Sequence, residues 1–224
     1  PEGLPAVITV ALSLGAKQMA KRNALIRKLA VTESIGSVNV ICTDKTGTIT
    51  EAKMKVVNVW LLENSKLANE MAVNCCFYCN DSKIIGGKLV GDETDVALKE
   101  FSSKHVEQKE WKRFEEIPFS SERKFMAVAV ETPEKKLVFL KGASEVVIDK
   151  CTRVLVGNKV SEMNEKLRTK ILDKNSEFAR KGLRVLALAY KVYSGPLDKD
   201  LVFVGLVALQ DPPRKEVKEA IEEC

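Results

Sequence analysis

The chain has 224 residues, 45% hydrophobic and 30% charged, which excludes a disordered polymer and leaves enough apolar material for one large core or two modest ones. The 36 basic and 31 acidic residues leave a net charge of +5. So small an excess, with only 6% aromatic residues and no Lys/Arg block interleaved with aromatics, argues against a nucleic-acid partner.

The chain opens at Pro1 without a methionine and is expected to be a piece of something longer. Residues 4–16, LPAVITVALSLGA, carry no charge. Thirteen residues are too few to span a bilayer, which takes about 20, so a core helix is one reading. The other is the cytoplasmic end of a membrane helix, because Lys17, Lys21, Arg22, Arg27 and Lys28 follow at once. On that second reading residues 1–22 are the end of a transmembrane helix and its stalk.

Residues 38–42, VNVIC, form a short β-branched apolar run and are expected to be a buried strand. DKTGT at 44–48 follows directly, placing Asp44 at that strand's carboxyl end, where ligands gather in open α/β sheets. Strands are expected over 55–62, 124–131, 136–142, 183–190 and 201–209, and helices over 66–79, 92–104, 142–150 and 163–181. The Thr132-Pro133-Glu134 turn between two of these strands predicts a hairpin, hence an antiparallel sheet. Asp211-Pro212-Pro213 ends the pattern, and a helix from Arg214 is expected with Pro213 in its first turn. The fold class is α/β: a partial Rossmann-like domain over 23–55, resumed at 209–224, interrupted by an antiparallel α+β insertion over 56–208.

Cys42, Cys75, Cys76, Cys79, Cys151 and Cys224 follow no signal peptide and are expected to be reduced. One CxxC and a lone histidine, His105, do not make a zinc site, so buried thiols are the reading. In DKTGT, Asp44 is a candidate nucleophile toward phosphorus. Lys45 sets a positive charge beside it, Gly47 permits a tight turn, and Thr46 and Thr48 offer hydroxyls. Phe119, ahead of Arg123 and Lys124, suits a stacked purine and its phosphates, or is a core aromatic beside surface charges.

ICTDKTGTIT resembles the phosphorylation motif of the P-type ATPases, in the haloacid-dehalogenase superfamily. PEGLP at 1–5, GDETDVAL at 91–98, PFSSERK at 118–124, KGAS at 141–144, GLRVLALA at 182–189 and DPPR at 211–214 extend the resemblance over nearly the whole chain. They look most like calcium pumps of the sarcoplasmic-reticulum and plasma-membrane type. The resemblance implies a Rossmann-like phosphorylation domain interrupted by a nucleotide-binding domain, with ATP and Mg²⁺ as cofactors. It implies that Asp44 accepts the γ-phosphate and, with the carbonyl of Thr46, holds Mg²⁺. Phe119 stacks adenine; Lys124, Lys141, Gly142, Arg184, Asp95 and Thr48 belong to the nucleotide site; and Glu2 ligates the transported cation, Ca²⁺. The implied partners are ATP, that cation, the membrane, and the remaining phosphorylation, actuator and transmembrane segments of an integral membrane pump whose present segment is mostly cytoplasmic. Asp211 and Arg214 are expected to position the hinge between the two domains.

Related phosphatases carry a second aspartate two residues after the nucleophile. Thr46 stands there instead, so an acyl phosphate formed here is expected to persist, which favours a pump over a soluble phosphohydrolase. The chain departs from the family at Ala52, where Asn is common, and at Ser121, often Arg. No Thr-Gly-Asp and no Gly-Asp-Gly-x-Asn-Asp follows residue 214. The chain alone is therefore expected to bind nucleotide without turning over.

Overall fold

The computed structural model describes residues 3–105 and 111–224, and the chain divides into two compact units, Pro1–Asp44 and Lys45–Cys224. The first unit holds helix α1 (Leu4–Lys21), with a proline in its first turn, and the short α2 (Ala30–Ile35); neither buries a residue. Among the described residues no helix is long and apolar enough to cross a membrane. Glu2, the expected cation ligand, lies outside the described residues.

The expected strand at 38–42 is not formed. These residues are exposed, Val40 at 76% and Ile41 at 66%, and no strand occurs among the described residues of this unit. A β-branched run makes a buried strand only when neighbouring strands take up its backbone N–H and C=O groups.

The second unit is mixed α/β with a mostly antiparallel sheet. In chain order it holds β1 (Lys55–Leu61), α3 (Lys66–Tyr78), β2 (Lys83–Ile85), β3 (Lys88–Val90), α4 (Glu93–Ser102), β4 (Lys112–Ile117), β5 (Phe125–Glu131), β6 (Lys136–Gly142), α5 (Ser144–Asp149), β7 (Cys151–Val156), β8 (Lys159–Glu162), α6 (Glu165–Arg180), β9 (Arg184–Val192), β10 (Leu201–Gln210) and α7 (Val217–Glu223). The main sheet runs β4-β5-β6-β9-β10-β7-β8, with β1 also on β10; β2 and β3 pair separately. Helices begin where side chains cap orphan amides. Ser65 accepts from Ala68 N, Asp92 from Thr94 N and Asn164 from Leu167 N.

The apolar runs of β5, β6 and β10 are continuous because both faces of the sheet are covered. Met126, Val128, Val130, Leu137 and Phe139 pack with α3 and α4 residues in one core. Phe125, Ala127, Ala129, Val138 and Leu140 pack with α5 and α6 residues in the other. Full burial of a side chain such as Phe139 or Phe203 stabilises by about 1.5–3 kcal/mol.

The central strand is β10. One of its edges pairs with β9 along most of its length. The other is shared: Leu201–Phe203 pair in parallel with β7, and Gly205–Gln210 pair antiparallel with β1. The expected hairpin forms as β5–β6. Pro213 does not open a helix; it bridges Thr50, and α7 starts only at Val217. The backbone there is already committed, since Arg214 N donates to Ile49 O and Glu51 N to Pro212 O. Strands β4, β7 and β8 escaped the sequence because charged residues interrupt them and only one face, or neither, is apolar.

Gly205 pairs with Leu61, the last residue of β1, and stands where β10 bulges against β9. A Cβ there would lie 2.5 Å from the Trp60 carbonyl oxygen and 2.8 Å from a Leu61 methyl. Gly205→Ala is expected to lower unfolding free energy by roughly 1–3 kcal/mol, read from the urea midpoint; an unchanged midpoint refutes this packing.

Candidate functional site

Side-chain parity explains how Lys141 becomes buried. On β6, Leu137 and Phe139 face the core under α3, and Lys141 continues that row. At the strand's end it meets Asp95, from the first turn of α4, in an ion pair whose side chains are only 7% and 14% exposed. The second Asp95 oxygen accepts from Asp81 N at 2.8 Å. Burial opposes the charge on Lys141, yet its opposite-charge partners more than offset it, and its pKa lies above the ordinary lysine value. Burial pushes the Cys76 and Cys79 thiols beside it up to about 12, and the Asp95 carboxylate is its ion-pair partner. Cys75 and Cys76 of α3 and its C-cap Cys79 are free and buried, as the sequence implied, whereas Cys42 and Cys224 are exposed.

Arg184, at the start of β9, lies on the same face, and its guanidinium donates to the buried Thr94 hydroxyl at 2.7 Å. Phe119 sits on the 118–124 loop between β4 and β5, 59% exposed, its ring available for stacking. That loop is tightly tied. Lys124 N donates to Ser120 O at 2.8 Å, Arg123 Nη2 to Pro118 O at 2.8 Å, and Ala143 N to Lys124 O at 2.9 Å. Lys124 holds φ +58°, the left-handed region, beside the pocket. A Cβ on Gly142 would lie 2.5 Å from the Lys124 carbonyl oxygen. The close approach that Gly142 permits in this structure is therefore to the chain's own backbone. Asp95, Phe119, Lys124, Lys141, Gly142 and Arg184 thus gather at one end of the sheet.

Lys45, Thr46 and Thr48 lie on a tight turn. Thr46 (φ −75°, ψ 122°) and Gly47 (φ 77°, ψ −10°) have type II turn geometry, which requires glycine at the second centre. The hub is Thr50, which sequence reasoning passed over. Its buried hydroxyl accepts from Gly47 N and donates to Asp211 Oδ2, while Asp211 Oδ1 accepts from Lys53 N. Arg214 donates to Gly47 O at 2.9 Å and Thr50 O at 3.2 Å. Asp211 and Arg214 therefore clamp the turn, the positioning part expected of them. Ala52 holds φ +51°, which explains why an asparagine, tolerant of the left-handed region, suits that place better. Asp44 ends the other unit and is exposed, with Thr43 Oγ1 donating to its carbonyl.

The family description "P-type ATPase, cytoplasmic domain N" matches residues 61–216, most of the second unit. The chain belongs to the P-type ATPases. It is 39% identical to calcium-transporting ATPase 1 of Lactococcus lactis and 36% identical to calcium-transporting ATPase 1 of Bacillus cereus, in each case over 100% of this chain. A calcium-transporting ATPase of Listeria monocytogenes is 37% identical, again over 100% of the chain. The chain spans 28% of the length of each of these relatives.

Within this domain N, three further residues carry weight that no short motif announced: Asn80, Arg113 and Lys99. Lys99 Nζ donates to Phe77 O at 3.0 Å and stands 3.4 Å from the centre of the Phe77 ring. Burial, then the nearby cations Arg113 and Lys141, lower its pKa from 10.5 to about 8. Between those values the unfolded chain holds a proton that the folded chain lacks, so this group makes stability rise with pH. The unfolding free energy of wild type minus that of Lys99→Met is expected to grow from about pH 8 to about pH 10. A flat difference across that window, by urea titration, would refute the shift.

Proposed function

We propose that this chain carries the phosphorylation loop and the nucleotide site of an ATP-driven cation pump that transports Ca²⁺. One observation carries the nucleotide site. An exposed aromatic, Phe119, and the cations Lys124, Lys141 and Arg184 converge at one end of the domain N sheet, with Lys141 held protonated in a buried position. Phe119 offers adenine a stacking face. Lys124 and Arg184 are exposed and meet the phosphates, and Lys141 supplies a fixed charge at depth. Asp95 engages both oxygens within the protein, and its remaining lone pairs face the adenine amino group.

In the phosphoryl step, an Asp44 carboxylate oxygen attacks the γ-phosphorus, and the bond to the β,γ-bridging oxygen breaks. ADP leaves with that electron pair, and an aspartyl phosphate remains. Lys45, next to the acceptor in the chain, supplies positive charge to the phosphate oxygens. The Asp44 carboxylate and the Thr46 carbonyl are hard oxygen donors of the class magnesium takes and would hold it, and the ion would neutralise phosphate charge. Thr46 brings no general base, so the acyl phosphate outlives the transfer and can drive a conformational change. The calcium assignment rests on relatives named as calcium-transporting ATPases, and Glu2 is its proposed ligand in this chain.

Phe119→Ala is expected to weaken ATP binding by about 1–3 kcal/mol, the worth of one stacked base, on the order of tenfold to a hundredfold in Kd. Lys141→Ala is expected to weaken it too, with a urea midpoint measured alongside because Asp95 loses its partner. Isothermal titration showing both variants equal to wild type would remove the site. For the acceptor, a longer protein containing this chain is incubated with γ-labelled ATP, and an acid-stable, hydroxylamine-labile label is expected. Persistence of that label in Asp44→Asn would exclude Asp44.

A further inference from the structure

We propose that Arg113 is a positioning residue, the strut that fixes the Phe119 arm against the Lys141–Asp95 pair; the inference rests on the nucleotide site proposed above. Arg113 lies on β4, the edge strand that runs straight into Pro118 and Phe119. Its guanidinium spends its donors in two directions. Nη2 donates to Tyr78 O at 3.0 Å and Asn80 O at 2.7 Å, on the link between α3 and β2. Nη1 donates to Asp81 Oδ1 at 3.0 Å and to Glu116 Oε2 at 2.8 Å, the latter on its own strand.

That link is what holds Asp95. Asp81 N donates to Asp95 Oδ2 at 2.8 Å, and Asn80 Nδ2 donates to Asp95 O at 2.8 Å. The remaining Asp95 oxygen takes Lys141. Arg113 is therefore two hydrogen bonds from Asp95, and through it reaches Lys141, while its own backbone leads to the aromatic ring. Arg113 pairs with Val130, whose side chain lies in the core under α3 and α4, so the pleat turns the guanidinium to that side. Only a planar fork reaches carbonyls and carboxylates on two elements together; a lysine ammonium has one centre to offer. Beside the Tyr78–Trp111 ring stack, with centroids 4.5 Å apart, these bonds tie β4 to the end of α3.

The test uses the 224-residue chain as wild type, Arg113→Gln and Arg113→Lys. Three quantities are read: ATP affinity by isothermal titration, urea midpoint, and acetylation of Lys141 by acetic anhydride, followed by peptide mass spectrometry. Lys191 is the internal control, because it is equally buried but held by the carbonyls of Ser194, Pro196 and Lys199 in a separate loop. Arg113→Gln is expected to weaken ATP binding on the order of tenfold and to speed Lys141 acetylation while Lys191 stays slow. Arg113→Lys is expected to keep the urea midpoint closer to wild type yet not restore affinity or Lys141 protection.

Unchanged Lys141 acetylation in Arg113→Gln overturns the strut. So does parallel acceleration at Lys141 and Lys191, which marks general loosening. If wild type itself binds no ATP, the nucleotide reading fails, and the Lys141-to-Lys191 contrast still decides the strut.

Discussion

A lysine ammonium buried at the end of a sheet strand sets the terms for much of this domain. Taking that charge out of water costs several kcal/mol unless a counter-charge and further hydrogen bonds meet it. Asp95 is the counter-charge, and it stands in the first turn of α4, where the helix dipole favours an anion. Asp95 must then itself be held. Asp81 N takes its other oxygen, Asn80 takes its carbonyl, and Arg113 takes the link that carries both. One buried cation thus fixes the docking of α4, the end of α3 and the start of the Phe119 arm.

A second constraint comes from how the chain enters and leaves the domain. Lys55 at the start of β1 pairs with Gln210 at the end of β10, so entry and exit lie side by side. That neighbourhood lets Asp211 and Arg214 reach back across the sequence and clamp the Lys45–Ile49 turn through Thr50. An inserted domain whose two ends are adjacent can be carried by another fold at little cost in loop entropy. The same adjacency couples the turn next to the proposed acceptor to the far end of the inserted sequence.

Much of the core was legible from pattern. The runs at 124–131, 136–142 and 201–209 are β-branched and continuous, and they became β5, β6 and β10, because a sheet covered on both faces demands apolar residues at every position. Strand β4 was hidden, since KRFEEI is an edge whose charges protect it from pairing further. The segment at 38–42 has the composition of a buried strand, but no strand occurs among the described residues of its unit, and it stays exposed. Composition reports a tendency to pair; pairing itself needs a partner.

By itself the sequence determined the family, the antiparallel insertion, and which side chains are candidates at the site: Asp44, Phe119, Lys124, Lys141 and Arg184. Asp44 stood out by its place after an expected strand and Phe119 by the cations that follow it, while Lys141 and Arg184 came only through the resemblance of KGAS and GLRVLALA to family motifs. Only the tertiary structure decided that Lys141 pairs with Asp95, 46 residues away. It also decided that Arg184 binds Thr94, that Gly142 is small to make room for the Lys124 carbonyl, and that Thr50, Arg113 and Lys99 have parts at all. The reason is physical. A residue's charge and size are written in the chain, but its pKa, its burial and its hydrogen-bond partners belong to whatever the fold brings against it.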